Sequence, residues 1–327
     1  MILEPVLDIL IGGDLYDRQI ERLHLTLDVE NYANRAEFRI VSMRDIMAHK
    51  GDEVCIYLGY VGSAKCVFAG RIREVYKMDT YYDIICEDWY CKLVEYYLQD
   101  KLTGKASEII QHICESAGIN VRLSNLAQNT DFTLNQVGSL GVSGAEIIDT
   151  IKRLTGWYIY MIPGTDTLYV GPPAPYARGD LQGPVYVLSE RLNCTKIDIT
   201  KRLPARVGQV VVYVVDQNGV MPYVKAVEGE GKPRVVRYFQ AAYSSIEEAR
   251  RLAQERAKQL YKELNSAIYS GVIHAIGHPG LMPGMTVRIE PLNGVPYYAD
   301  IKTVMHNYSV QEGFTTDIYI EASWNTE

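Results

Sequence analysis

Three histidines late in the chain offer the first candidate chemistry. His274 and His278 stand four apart in HAIGHPG, and His306 opens HNYSVQEGFTTDIYIEA. Histidines at i and i+4 of a helix can share a metal ion, but Gly277 and Pro279 forbid a regular helix there. A turn ahead of Pro283-Gly284 is the better reading. His306 is expected on a strand, where Tyr76 or Lys77 stands in an earlier repeat, as a half-buried structural ring. Glu87 and Asp88 are neighbouring carboxylates, and two carboxylates can serve as acid and base at a glycosidic bond. With 40 acidic residues in the chain, such neighbours arise by chance. Thr103-Gly104-Lys105 ends like a phosphate loop, but Gln99 occupies the place of its first glycine.

The cysteines are Cys55, Cys66, Cys86, Cys91, Cys114 and Cys194, and no two form CxxC. Neither a zinc ribbon nor a thioredoxin motif is written here. Cys86 and Cys91 are expected on opposite faces of one strand, and all six as small buried apolar residues. No Gly-x-Ser-x-Gly elbow and no His-Glu-x-x-His occurs. The expectation is therefore no catalytic residue, no cofactor, no metal and no enzyme.

Bulk properties narrow the class. The 327 residues suffice for two or three domains. No apolar run reaches the roughly 18 residues of a membrane helix. The opening MILEPVLDILIGGD lacks a basic stretch and holds acids, so it does not read as a secretory signal, and synthesis in the cytosol is expected. Net charge is −7, with no basic stripe for nucleic acid. The run Arg250, Arg251, Arg256, Lys258 and Lys262 alternates with Glu247, Glu248, Glu255 and Glu263, as on a solvated helix face. Tyr outnumbers Phe by 25 to 5, which points to many half-exposed strands.

The chain repeats itself. One copy opens at Gly51 with Val54 and Ile56, continues with Ile72 and Val75, and closes with Asp83, Ile84, Glu87 and Trp89. The other opens at Gly284 with Val287 and Ile289, continues with Ile301 and Val304, and closes with Asp317, Ile318, Glu321 and Trp324. The Trp landmarks need one residue of slippage. A fainter echo, ERLHLTLDVEN from Glu21 and ERLNCTKIDIT from Glu190, precedes each copy. Short alternating apolar bursts between Gly, Asn and Ser turns predict antiparallel strands. A closed or nearly closed barrel would hide their edges. The fold class expected is mainly β with an α/β insertion: two similar antiparallel β-barrels, a small helix-containing domain and one long helix.

Residues 1–100 form the first barrel on this reading. Residues 101–180 form the insertion, with twin helices ASEIIQHICESAG and GAEIIDTIKRLTG. Ser143 with Glu146 makes a capping box, and Gly118 and Gly156 end the helices. A hairpin then turns on Pro163-Gly164. Residues 181–266 hold the first strands of the second barrel (QVVVYVV, Gln209 to Val215, among them), an extended excursion or mobile loop over Val220 to Arg237, and a long helix. Ser244 or Ser245 caps that helix, and Ala249, Leu252, Ala253, Leu260 and Leu264 form its apolar face. Residues 267–327 complete the second barrel.

The segment LMPGMTVRIEPLNGVPYYADIKTVMHNYSVQEGFTTDIYIEA resembles the closing part of phage tail baseplate hub proteins of the late-control D group. The matching features are Pro283-Gly284, Val287 to Ile289, Gly294 to Tyr298, Val304 to His306, Gly313-Phe314-Thr315-Thr316 and Ile318 to Glu321. The helix GKASEIIQHICESAGI resembles the family's Glu-Ile-Ile helix. The resemblance spans about Gly70 to Glu321. It implies a structural hub, a homotrimer whose duplicated barrels make a pseudo-six-fold ring. That ring would join the tail tube, or a tube-initiator protein, to a three-fold spike, and would line a channel for DNA or cargo. Ending at Glu327, the chain is expected to leave the spike to a separate trimeric protein. A tape-measure protein is a further expected partner, and DNA would pass without specific binding. The protein would sit in the tail baseplate of a virion or an equivalent injection particle. The other readings are a tail-associated carbohydrate- or surface-binding β protein and, further off, a cell-wall hydrolase.

Overall fold

The computed structural model describes residues 4–30, 33–129, 133–137, 141–202, 206–216, 223–241, 245–265 and 267–324. The first module contains β1 (Pro5–Ile11), β2 (Asp14–Tyr16), β3 (Ile20–Asp28), β4 (Arg35–Val41), β5 (Glu53–Tyr60), β6 (Lys65–Lys77) and β7 (Tyr81–Asp88). The insertion follows as α1 (Cys91–Glu95), β8 (Leu102–Lys105), α2 (Ala106–Ala117), β9 (Asn120–Leu123), α3 (Asn125–Gln128), β10 (Thr133–Val137), α4 (Gly144–Thr155), β11 (Tyr158–Met161) and β12 (Thr167–Gly171). Next come β13 (Val187–Ser189) and β14 (Cys194–Arg202), then a satellite of β15 (Gln209–Asp216), β16 (Val224–Gly229), β17 (Arg234–Ala241) and α5 (Ile246–Asn265). The second module closes with β18 (Ala267–Ile276), β19 (Thr286–Glu290), β20 (Tyr297–Ser309) and β21 (Gly313–Trp324).

The molecule is mainly β, built on one large, mostly antiparallel sheet. Two stretches of that sheet have the same pairing order. In the first module it is β3-β4-β7-β6-β5, and in the second β14-β18-β21-β20-β19. Gly51 N–H donates to Ile72 O at 2.8 Å, and Ile72 N–H returns to Asp52 O at 2.9 Å. Gly284 N–H donates to Ile301 O at 2.8 Å, and Ile301 N–H returns to Met285 O at 2.8 Å. Both glycines have φ in the left-handed region, +96° and +83°, which favours a residue without Cβ. A register shift follows each isoleucine, between Ile72 and Glu74 and between Ile301 and Thr303. Alternation puts Val54, Ile56, Val287 and Ile289 on the buried face, each fully enclosed.

Among the described strands no closed barrel forms, where the sequence reading expected two closed or nearly closed ones. Among the described strands the path runs open from β14 to β2, and β20 pairs with β3 to join the modules. One hydrophobic core therefore serves both modules, from Leu7 to Ile320. Counting from Glu87 and Glu321, Trp324 matches Tyr90, so Trp89 lies one residue early, the slippage the sequence already required; it follows β7 and packs against the insertion core. Two local expectations are corrected. The register sets Leu23 and Ile197 opposite Phe38 and Ile273, so Glu190 lies in a turn and does not match Glu21. Cys91 begins α1 rather than sharing a strand with Cys86, and Cys55 and Cys66 are only half-buried.

The stretch expected as an excursion is two strands. β16 and β17 flank β15 in a separate three-stranded sheet, so β15 does not join the second module. Val210, Val212, Val214, Ala226 and Val235 pack on Ala249, Ala253 and Ala257 of α5. The small alanines let helix and sheet approach closely. Residues 217–222 and Ser244 lie outside the described residues.

In the insertion, Ser143 and Glu146 form the reciprocal cap of α4. The unit is clamped to both modules. Lys152 Nζ donates to Val29 O at 2.8 Å, and Tyr160 Oη to Pro283 O at 3.3 Å. Lys302 Nζ donates to Tyr158 Oη at 2.5 Å. Asp88 is buried where β7 leaves the first module for the insertion. It accepts from Asn34 Nδ2 at 2.6 Å, Asn34 N–H at 3.2 Å and Tyr90 N–H at 3.1 Å. Burial outweighs these donors and pushes its carboxyl up to about 7.

Two measurements test this account. Gly51 has open space where a Cβ would project, whereas at Gly284 the Cβ would lie 2.6 Å from Tyr160 Oη. Gly51→Ala is expected to cost about 1–2 kcal/mol from backbone strain alone, and Gly284→Ala distinctly more. Equal urea midpoints for the two variants would contradict the clamp. For Asp88, the folded chain holds its proton up to about pH 7, while the ordinary value is 3.8. Between those values only the folded state is protonated, so this group makes stability fall as pH rises from about 4 to about 7. Urea midpoints at pH 5 and pH 7.5 should differ less in Asp88→Asn than in the unaltered chain, and an identical slope would refute the assignment.

Candidate assembly interface

β20 is long enough to have two partners on one edge. Its first part, Tyr297 to Asp300, pairs with β19. Its second part, Thr303 to Ser309, pairs with Asp28 to Arg22 of β3. The shift after Ile301 re-aims the strand between the two. Side chains cross the same seam. His24 Nδ1 donates to Asn307 Oδ1 at 2.6 Å, Thr303 Oγ1 to Asp28 Oδ2 at 2.5 Å, and Lys302 Nζ to Glu30 Oε1 at 3.2 Å.

β6 is built in the same way, but among the described strands its β5 edge has no second partner. Lys65 to Arg71 pairs with β5, and β7 covers the opposite edge from Gly70 to Lys77. Among the described residues no strand pairs with the edge of Glu74 to Lys77 that corresponds to the seam. Tyr76 is exposed there. At the far end of the sheet, β14 pairs with β18 and with no other described strand. β14 holds the place in its module that β3 holds in the first. The chain thus forms one β20–β3 joint and leaves open one edge of each kind. Unpaired strand edges are templates for another strand.

The sheet face opposite the core is polar, with charges of both signs. Arg39 meets Asp83 through Nε–Oδ1 and Nη2–Oδ2 contacts, each 2.8 Å, and its guanidinium lies 3.8 Å from the Tyr81 ring centre. Asp83 holds the Arg39 pKa up, and Arg39 holds the Asp83 carboxyl down. Arg35 pairs with Glu37 and Arg73 with Glu87. Exposed pairs of this kind contribute about 0–1 kcal/mol each. Their larger effect is to leave few bare charges on this face.

The residues first weighed for chemistry are spread apart. His274 stands on β18 rather than in the turn and donates through Nδ1 to Asp317 Oδ1 at 2.7 Å. His278 is in the turn, accepts from Gly280 N–H at 3.3 Å, and meets the Tyr186 ring edge-on at 4.3 Å. His306 is fully buried rather than half-buried. Its Nδ1 lies 3.0 Å from Thr316 Oγ1 and its ring packs edge-on against Phe314. Burial pushes its pKa down to about 3, so the ring is neutral. Glu87 and Asp88, adjacent in β7, point to opposite faces: Glu87 outward to Arg73, Asp88 inward to Asn34. Lys105 ends β8 ahead of α2. No cluster of three or more metal-binding side chains occurs among the described residues. Of the repeat landmarks, the structure groups Gly51, Val54, Ile56, Ile72 and Val75 around β5–β6, and Gly284, Val287, Ile289, Ile301 and Val304 around β19–β20. Sequence reasoning missed the seam. The extra length of β20 beyond its partner β19 was the available signal.

No family model matches the sequence, and no curated protein matches it. Solved structures do share the fold. A tail protein from Neisseria meningitidis is 17% identical, with a TM-score of 0.70 over 98% of this chain and 97% of its own. The 43 kDa tail protein of prophage MuSo2 from Shewanella oneidensis is 12% identical, with a TM-score of 0.66 over 97% and 98%. The E. coli c3393 protein is a type VI secretion component with structural similarity to the T4 tail proteins gp27 and gp5. It is 10% identical, with a TM-score of 0.57 over 94% of this chain and 74% of its own. The chain therefore has the fold of these phage tail and secretion-system proteins.

Proposed function

We propose that this chain is a structural baseplate or tail hub protein that works as a homotrimer. Its two modules, in each of three copies, make a ring that is three-fold in identity and nearly six-fold in shape. The observation that carries the reading is the β20–β3 joint together with the two open edges. Repeating that joint between copies pairs the Glu74 to Lys77 edge of β6 with β14 of the next copy. Transferred to these strands, the register sets Val75 against Lys201 and Tyr76 against Thr200 of that copy. The contact is heterologous, so copies follow one another head to tail rather than as a two-fold dimer, and a rotation that closes after three copies makes the ring. A closed ring leaves no such edge exposed.

On this reading the ring joins the tail tube, or a tube-initiator protein, to a three-fold spike. It lines the path of DNA and of a tape-measure protein. The −7 net charge disfavours adhesion to phosphate. The fold shared with tail and type VI secretion proteins supports a structural role. The histidines and acids described above serve packing and strand pairing, and the reading assigns no enzyme activity and no cofactor.

Light scattering of the purified chain should give three times 36.9 kDa. Val75→Pro and Tyr76→Pro separate the free edge from the internal ladder, because neighbouring N–H groups point to opposite edges of a strand. One variant should lose the internal ladder and unfold at lower temperature. The other should keep its melting temperature and run as a monomer. A wild-type monomer at all concentrations, or trimers from both variants, would end the proposal.

A further inference from the structure

Two of the six cysteines meet across a hairpin. Cys55 on β5 and Cys66 on β6 both lie half-buried on the sheet face opposite the core. β6 holds an extra residue at this point: Ile56 pairs with Phe68 and Tyr57 with Cys66, and Val67 is passed over. A bulge of this kind bends its strand and re-aims the side chain beside it. Here the Cys66 thiol donates a hydrogen bond to the Cys55 sulfur, so the two sulfurs are in contact. Cys66 is held from other sides as well. Its Sγ lies 3.5 Å from Phe68 O and 3.6 Å from Gly164 O, in the Pro163-Gly164 turn of the insertion. That turn fits because Gly164 has no side chain: a Cβ there would lie 2.4 Å from Cys66 O. The other four cysteines are buried, on β7, α1, α2 and β14.

A disulfide forms readily only where the backbone need not move to bring its sulfurs together. We infer that Cys55 and Cys66 are a redox pair: free thiols in a reducing compartment, and a disulfide staple across β5 and β6 in an oxidising one. With a small disulfide such as oxidised glutathione as the oxidant, the exchange balances. Cys55 loses its proton, and its thiolate attacks one glutathione sulfur and releases one glutathione thiol. Cys66 then loses its proton and attacks Cys55 Sγ in the mixed disulfide, releasing the second glutathione. The chain gives up two electrons and two protons, and the oxidant becomes two thiols. Cys55 attacks first because its sulfur accepts the hydrogen bond, which keeps the Cys66 proton in place. Burial raises both thiols above their ordinary value, Cys66 to about 11. Closure is therefore slow at neutral pH and quickens as pH rises. Once closed, the staple restricts the unfolded chain and adds stability.

The probe is oxidised glutathione, added to the full chain at mildly alkaline pH. The chain is then denatured, its free thiols are alkylated, and intact mass and peptides are read by mass spectrometry. The expected result is the loss of two hydrogens, four alkylated cysteines where the reduced chain has six, and one cross-link joining Cys55 to Cys66. The melting temperature should rise by about 3–6 °C on closure and fall back with dithiothreitol. Cys55→Ser and Cys66→Ser should each form no internal bond and show no such rise. Six alkylated cysteines in the oxidised wild type, a glutathione adduct that stays on either sulfur, or a bond to any other cysteine would overturn the inference. So would a melting temperature that does not change when the bond closes.

Discussion

Between Thr303 and Ser309, β20 lays backbone N–H and C=O groups against Asp28 to Arg22 of β3, and this ladder holds two modules in one sheet. A backbone group at a strand edge must find water or another strand. Inside the chain, one edge of each module finds the other. The joint merges the two cores into one, because a continuous sheet has a continuous apolar face. It also orients the modules so that corresponding hairpins emerge at the same end.

The rest of the architecture follows from that joint. The insertion holds it from one side, through Lys152 to Val29, Tyr160 to Pro283 and Lys302 to Tyr158. Those contacts reach both modules and resist hinging at the seam. Asp88 and His306 lie inside the structure that results, and both shift toward their neutral forms because burial penalises charge. Asp88 accepts from Asn34 and from Tyr90 N–H, and His306 lies beside the Thr316 hydroxyl.

Duplication with partial divergence keeps one strand framework twice while its connections change. The core positions and the glycine joints remain alike: Gly51 and Gly284 make the same hydrogen bonds to Ile72 and Ile301. The connections differ, since a surface loop can take up an insertion without disturbing the ladder. The insertion and the satellite both enter at one end, which leaves the other free to stay repetitive.

The sequence by itself determined the local elements. Alternation at Val54, Ile56, Val287 and Ile289 marked buried strand faces, and Ser143 with Glu146 marked a helix start, because both patterns depend on near neighbours in the chain. The repeat was legible because equivalent cores need equivalent apolar spacing. Tertiary structure alone decided that the modules share one sheet, that β15 leaves it for a satellite, and that Val224 to Gly229 and Arg234 to Ala241 are strands. Those outcomes depend on which edge reaches which. Strand pairing joins backbone groups far apart in sequence, and backbone groups are nearly the same in every residue. The side chains around Thr303 and Asp28 therefore carry little sign that their strands will meet.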